Sequence, residues 1–109
     1  GRSLPIEALQ IKIENSSYEG KIEYCTHVSN IGWQSYVEGG KQAGTTGRAL
    51  SVEAMKIKLT GELAEHYDIY YRAHVSNIGW QNWVKNDEIA GTTGKSLPIE
   101  AVQIKLVEK

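Results

Sequence analysis

At 109 residues the chain has the length of one ordinary domain. Its formal net charge of −1 offers no basic field for nucleic acid, and its single cysteine, Cys25, precludes an intramolecular disulfide. No apolar run approaches the ~20 residues of a helical membrane span, and the first residues lack the apolar stretch of a signal peptide.

The chain opens on Gly1-Arg2-Ser3-Leu4-Pro5-Ile6-Glu7-Ala8, which returns as Gly47-Arg48-Ala49-Leu50-Ser51-Val52-Glu53-Ala54 and as Gly94-Lys95-Ser96-Leu97-Pro98-Ile99-Glu100-Ala101. Behind each stands an alternating run: Leu9-Gln10-Ile11-Lys12-Ile13, Met55-Lys56-Ile57-Lys58-Leu59 and Val102-Gln103-Ile104-Lys105-Leu106. Period two predicts half-buried strands of antiparallel sheets, the apolar set on a core and Gln or Lys in water. The intervals at 14–20 and 60–66 diverge most, and the spacing from Ile13 to Tyr24 differs by one residue from that between Leu59 and Tyr71, which places them in surface loops; residues 62–66 invite a short helical turn.

Residues 21–29 and 67–76 are rich in β-branched and aromatic types and predict a second strand in each copy. Ile22, Tyr24, Thr26 and Val28 then share a core face with their counterparts Ile69, Tyr71, Ala73 and Val75, and His27 and His74 point the other way. The octapeptide His27-Val28-Ser29-Asn30-Ile31-Gly32-Trp33-Gln34 recurs unchanged as His74-Val75-Ser76-Asn77-Ile78-Gly79-Trp80-Gln81. Its Asn-Ile-Gly predicts a tight reversal, because Asn and Gly tolerate positive φ, and a third strand follows through residues 33–37 and 80–84. A second turn is expected at Gly39-Gly40 and Asn86-Asp87. Ala43-Gly44-Thr45-Thr46-Gly47 and Ala90-Gly91-Thr92-Thr93-Gly94 read as an ordered loop whose hydroxyls bond locally to backbone.

The chain therefore divides into units of approximately 1–46 and 47–93 and a partial third, 94–109. A unit of roughly 45 residues lies near the size at which a core fails alone, so the units are expected to share one. The fold expected is all-β, with antiparallel sheets in a pseudo-symmetric repeat domain, sandwich or prism-like. Because residue 1 already falls inside a repeated element, the chain reads as a section of a longer polypeptide.

The recurring side chains fix the candidate chemistry. Trp33 and Trp80, beside Asn30 and Gln34 or Asn77 and Gln81, suit a sugar ring: the indole packs on C–H groups while the amides bond hydroxyls. The alternative is that each Trp caps its unit's core, a place that would equally recur. His27 and His74 either bond the adjacent turn backbone or contact the ligand. They have no second ligand at metal spacing within the unit, and no serine or cysteine with a matching acid recurs for nucleophilic catalysis. Gly94-Lys95-Ser96 leads into a strand rather than the helix of a phosphate loop. Glu7, Glu53 and Glu100 are expected to form exposed pairs with Arg2, Arg48 and Lys95.

The string His-Val-x-Asn-Ile-Gly-Trp-Gln, then Trp-Val, then Ala-Gly-Thr-Thr-Gly-[Lys/Arg]-x-Leu-x-[Ile/Val]-Glu-Ala-x-x-Ile-Lys-Leu resembles the clostridial hydrophobic repeat with a tryptophan, the ChW repeat. The second copy fits nearly throughout; the first departs at Tyr36, where the pattern has the Trp of Trp83, and at Gly39-Gly40-Lys41-Gln42. The resemblance implies a non-enzymatic binding module of a secreted or cell-surface protein of Gram-positive bacteria. The implied partner is glycan or cell-wall polysaccharide, or a host or bacterial surface protein. It provides no catalytic residue; no cofactor and no metal are expected, and the charge and apolar patterning lead to no expectation of nucleic acid or membrane insertion. The candidate ligand-binding residues are Trp33, Asn30, Gln34, His27, Trp80, Asn77, Gln81 and His74.

Overall fold

A computed structural model describes residues 4–14 and 16–109, so the pairing expected for Arg2 lies outside the described residues. The order of elements is β1 (Ala8–Gln10), β2 (Ile22–Val28), β3 (Gly32–Trp33), β4 (Val37–Glu38), β5 (Gln42–Gly44), β6 (Val52–Leu59), α1 (Gly61–His66), β7 (Tyr67–Val75), β8 (Gly79–Trp80), β9 (Val84–Lys85), β10 (Ala90–Gly91) and β11 (Ile99–Glu108). The fold is all-β with antiparallel pairing, and α1 is the short helical turn expected in the divergent interval.

Three sheets repeat one design. The first copy supplies β2 with β3, β4 and β6, and the second supplies β7 with β8, β9 and β11. Each such copy straddles a boundary between the sequence units, and its short Ala-Gly strand pairs outside the copy: β10 pairs with β6 of the first copy, and β5 pairs with β1 of the preceding tail. The register is the same both times, Ala8↔Gly44 and Leu9↔Ala43 matching Ala54↔Gly91 and Met55↔Ala90. This crossing explains the glycine of each Ala-Gly. A Cβ on Gly44 would lie 2.4 Å from Glu7 O, and one on Gly91 2.4 Å from Glu53 O, with φ of +96° and +95°. Only glycine permits both that conformation and that approach.

Strand parity holds where both strand edges are covered. Ile22, Tyr24, Thr26, Val28, Ile69, Tyr71, Ala73 and Val75 are all buried, as are Met55, Ile57 and Leu59 of β6. One core cluster draws on both units and receives Leu9, Ile11, Ile13, Val102 and Ile104 at its margins. Leu106 is expected inside and is 39% exposed, because among the described residues β11 has a partner on one edge only.

Two buried tyrosines join each copy to the copy or tail before it. The Tyr71 hydroxyl accepts the Ile57 amide (3.1 Å) and donates to the Glu88 carbonyl. Tyr24 does the same with the Ile11 amide (2.9 Å) and the Lys41 carbonyl. Each ring fills the core while its oxygen satisfies backbone that has left the ladder.

Two local expectations change. The third strand is split, since β3 and β4, like β8 and β9, pair with the same neighbour but are separated by three residues led by Gln34 or Gln81. The threonine hydroxyls do not bond locally: Oγ1 of Thr45 and of Thr92 is buried without a hydrogen-bond partner among the described residues.

Candidate functional site

The reversal after β2 and β7 needs positive φ at its second and fourth residues, which Asn30 and Asn77 (both φ 67°) and Gly32 and Gly79 (φ 94° and 93°) supply. It folds β3 and β8 back so that Trp33 stands opposite His27, and Trp80 opposite His74. The pairs have nearly the same geometry: edge-on rings 5.3 Å apart at 82° and 5.2 Å apart at 81°. Trp33 is 38% exposed and Trp80 42%, so neither indole is a core cap. Asn30 and Asn77 stand exposed at the turn tips.

A recurring glutamate fixes each imidazole. His27 Nδ1 lies 3.1 Å from Glu53 Oε1, and His74 Nδ1 lies 3.2 Å from Glu100 Oε1. A carboxylate only accepts, so Nδ1 carries the hydrogen. This corrects the exposed pairs expected with Arg48 and Lys95: Glu53 is 7% exposed and faces the histidine. The cause is a β-bulge. The β2–β6 register passes from His27↔Ala54 to Val28↔Val52, leaving Glu53 as the extra residue, and Glu100 is the extra residue between Val75↔Ile99 and His74↔Ala101. A bulge re-aims a side chain, here toward the outer sheet face.

Gln34 and Gln81 serve a different neighbour. The Gly44 amide donates to Gln34 Oε1 (3.0 Å), and the Gly91 amide donates to Gln81 Oε1 (2.7 Å), whose Nε2 returns a bond to Gly91 O (3.3 Å). These amides anchor the crossing strand beneath the tryptophans.

The outer face carries further residues that the octapeptide does not contain. Lys56 lies 4.7 Å over Trp33 and 5.7 Å over Tyr36, and Lys58 lies 4.3 Å over Tyr36. In the second copy Arg72 sits between Trp80 (4.8 Å) and Trp83 (4.9 Å), and Lys105 lies 4.4 Å over Trp83. Each face is thus a ladder of cations and aromatic rings held by mutual attraction. Its sequence signal was the outward parity of the lysines beside Trp-x-x-[Tyr/Trp]. Beside Trp80, residues Asn82, Val84 and Ile89 border an open cleft of about 450 Å³. Among the described residues no cluster of His, Cys, Asp or Glu could hold a metal ion.

The family model described as Clostridial hydrophobic W matches residues 27–61 and 74–108, together more than half of the chain. The chain belongs to the ChW family. No curated protein and no solved structure matches it. Each ChW match begins at the histidine that supports the exposed tryptophan and runs through the glutamate that fixes that histidine. The His–Trp–Glu group is therefore internal to the ChW repeat, whereas the Ala-Gly crossing links one repeat to its neighbour.

Proposed function

We propose that this ChW pair is a non-enzymatic binding module of a secreted or cell-surface bacterial protein, recognising glycan or cell-wall carbohydrate through two equivalent sites. Trp33 with Asn30 forms one site, and Trp80 with Asn77 the other. The observation that carries the reading is the equal exposure of two indoles whose supporting groups are already engaged: His27 and His74 with glutamates, Gln34 and Gln81 with glycine backbone. An exposed, preoriented indole offers an apolar plane to a sugar's C–H face at little ordering cost. Lys56 and Arg72, alongside the rings, would meet hydroxyl or acidic substituents. Two tethered weak sites can gain avidity of roughly 10²–10⁴ on a repetitive polymer.

A tryptophan-fluorescence titration with solubilised cell-wall polysaccharide tests it. The reading expects a saturable change, reduced in Trp33→Ala and in Trp80→Ala. A protein-binding adhesin module or structural spacer is the second reading, favoured by Ile31 and Ile78, which stand 43% and 51% exposed at the same turn tips. Absence of any response from a folded chain would move the function there.

A further inference from the structure

Ile6, Val52 and Ile99 occupy the same position in the three copies of the repeated element, and they meet. The Ile6 amide donates to Ile99 O (2.8 Å), and the Val52 amide donates to Ile6 O (2.7 Å). In an open stack the first and third tails would be separated by the whole unit between them. Their contact means that successive units turn about one axis and that the third position already reaches the first.

Among the described residues that circuit is open between β1 and β11. Strand β6 is paired on both edges, by β2 of its own copy and β10 of the next. Among the described residues β1 is paired only by β5 and β11 only by β7, so β1 lacks the neighbour that β2 gives β6, and β11 lacks the neighbour that β10 gives β6. The missing contacts can be enumerated from the two interfaces present. Thr45 and Thr92 amides donate to Glu7 O (2.9 Å) and Glu53 O (3.0 Å); Gly40 and Asp87 amides donate to Ile11 O (2.8 Å) and Ile57 O (2.7 Å). The tyrosine hydroxyls receive the Ile11 and Ile57 amides. The corresponding groups on β11 are Glu100 O and the amide and carbonyl of Ile104. Apolar surface is left over at the same place: Leu59 is 9% exposed whereas its counterpart Leu106 is 39%, and Val102 and Ile104 are half-buried where Met55 and Ile57 are fully buried.

We propose that the slot between β1 and β11 is an interaction surface for a third ChW hairpin, equivalent to residues 18–46, which closes a three-membered ring. Its long strand would pair with β1 as β2 pairs with β6. Its Ala-Gly strand would pair with Ala101 and Val102, and its tyrosine hydroxyl would take the Ile104 amide. The occupant is specified by the two interfaces that the chain already makes: an Ala-Gly to approach the backbone, a tyrosine three strand-residues before the histidine, and an apolar face to cover Val102 and Ile104.

Residues 14–46 fused as an extra copy ahead of Gly1 test this by hydrogen exchange, with the same fusion carrying Gly→Ala at the added copy's counterpart of Gly44 as control. In the control the added Cβ would stand where Gly44 and Gly91 leave only 2.4 Å to a backbone oxygen, so only the first fusion can seat its Ala-Gly strand on β11. The expected result is a monomer in which the Ile104 amide exchanges roughly tenfold or more slowly than in the 109-residue chain, with no such change in the control. A fused segment that gains no strand signal, or one that folds while Ile104 exchanges as before, would overturn the proposal. So would concentration-dependent protection of Ile104 in the unextended chain, which would make a second copy the occupant. Ile104→Lys, placing a charge where the hairpin must cover it, is expected to abolish the added protection without unfolding the rest.

Discussion

The Tyr71 hydroxyl takes the amide hydrogen of Ile57, 14 residues back in the chain and in the preceding repeat, across 3.1 Å of fully buried interface. Tyr71→Phe keeps the ring but leaves that amide and the Glu88 carbonyl without their partner. A buried polar group left unmade costs about 1–3 kcal/mol, so urea denaturation should show a loss of that size. Tyr24→Phe, whose hydroxyl meets the half-buried Ile11 amide, is expected to lose less. Equal, negligible effects would remove the hydroxyls from the account of how repeats join.

The same burial pushes the Tyr71 phenol from 10.0 up to about 12. A raised pKa means that the folded state holds its proton where the unfolded chain has released it, so the contribution is whole below pH 10 and is lost as pH climbs toward 12. An alkaline titration of stability should therefore fall through pH 10–12, and Tyr71→Phe should flatten that limb. A Tyr71→Phe curve parallel to the parent's would contradict the assignment.

Gly91→Ala forces a Cβ to within 2.4 Å of Glu53 O, a backbone atom that cannot rotate aside. A loss of roughly 2 kcal/mol or more is expected in thermal or urea melts. Gly94→Ala also has positive φ (+73°) but meets nothing within 4 Å, so only the conformational term of about 1–2 kcal/mol applies. If the two variants melt alike, the close crossing of repeats is not what Gly91 provides.

Ile57 and Ile104 occupy equivalent positions in sequence but not in the fold. Ile57→Ala should cost roughly 2–5 kcal/mol, as deletion from a filled core does. Ile104→Ala, on the edge that β11 leaves open, should cost well under half of that, and equilibrium unfolding of both distinguishes the two positions.

That pair also shows where the sequence was legible. Alternation in the run 55–59 dictates which side chains turn inward, because side-chain parity is a property of one strand. How deeply each one lies depends on whether a neighbour covers the edge, which no local pattern contains. The glutamates make the same point. Arg48 and Lys95 are close to Glu53 and Glu100 along the chain, but the partners are His27 and His74, 26 residues away on the adjoining strand. One signal was present: Val52 and Met55 are both inward yet three residues apart, a parity break that only an extra residue between them could absorb. Repetition marks the tryptophans as candidates, and their exposure follows from the short β3 and β8, which lie at sheet margins. The meeting of Ile6 with Ile99 had no local signal, since it depends on the angle through which one repeat turns relative to the next.

The most direct measurement is the binding stoichiometry of a cell-wall oligosaccharide, sized to span one site, by isothermal titration calorimetry on the parent chain and on Trp80→Ala, with circular dichroism to check the fold. Two equivalent Trp–Asn sites predict two ligands per parent chain and one per Trp80→Ala chain, at unchanged affinity for the remaining site and an unchanged spectrum. Loss of the strand spectrum in Trp80→Ala, or a full complement of bound ligand without that indole, would contradict the account.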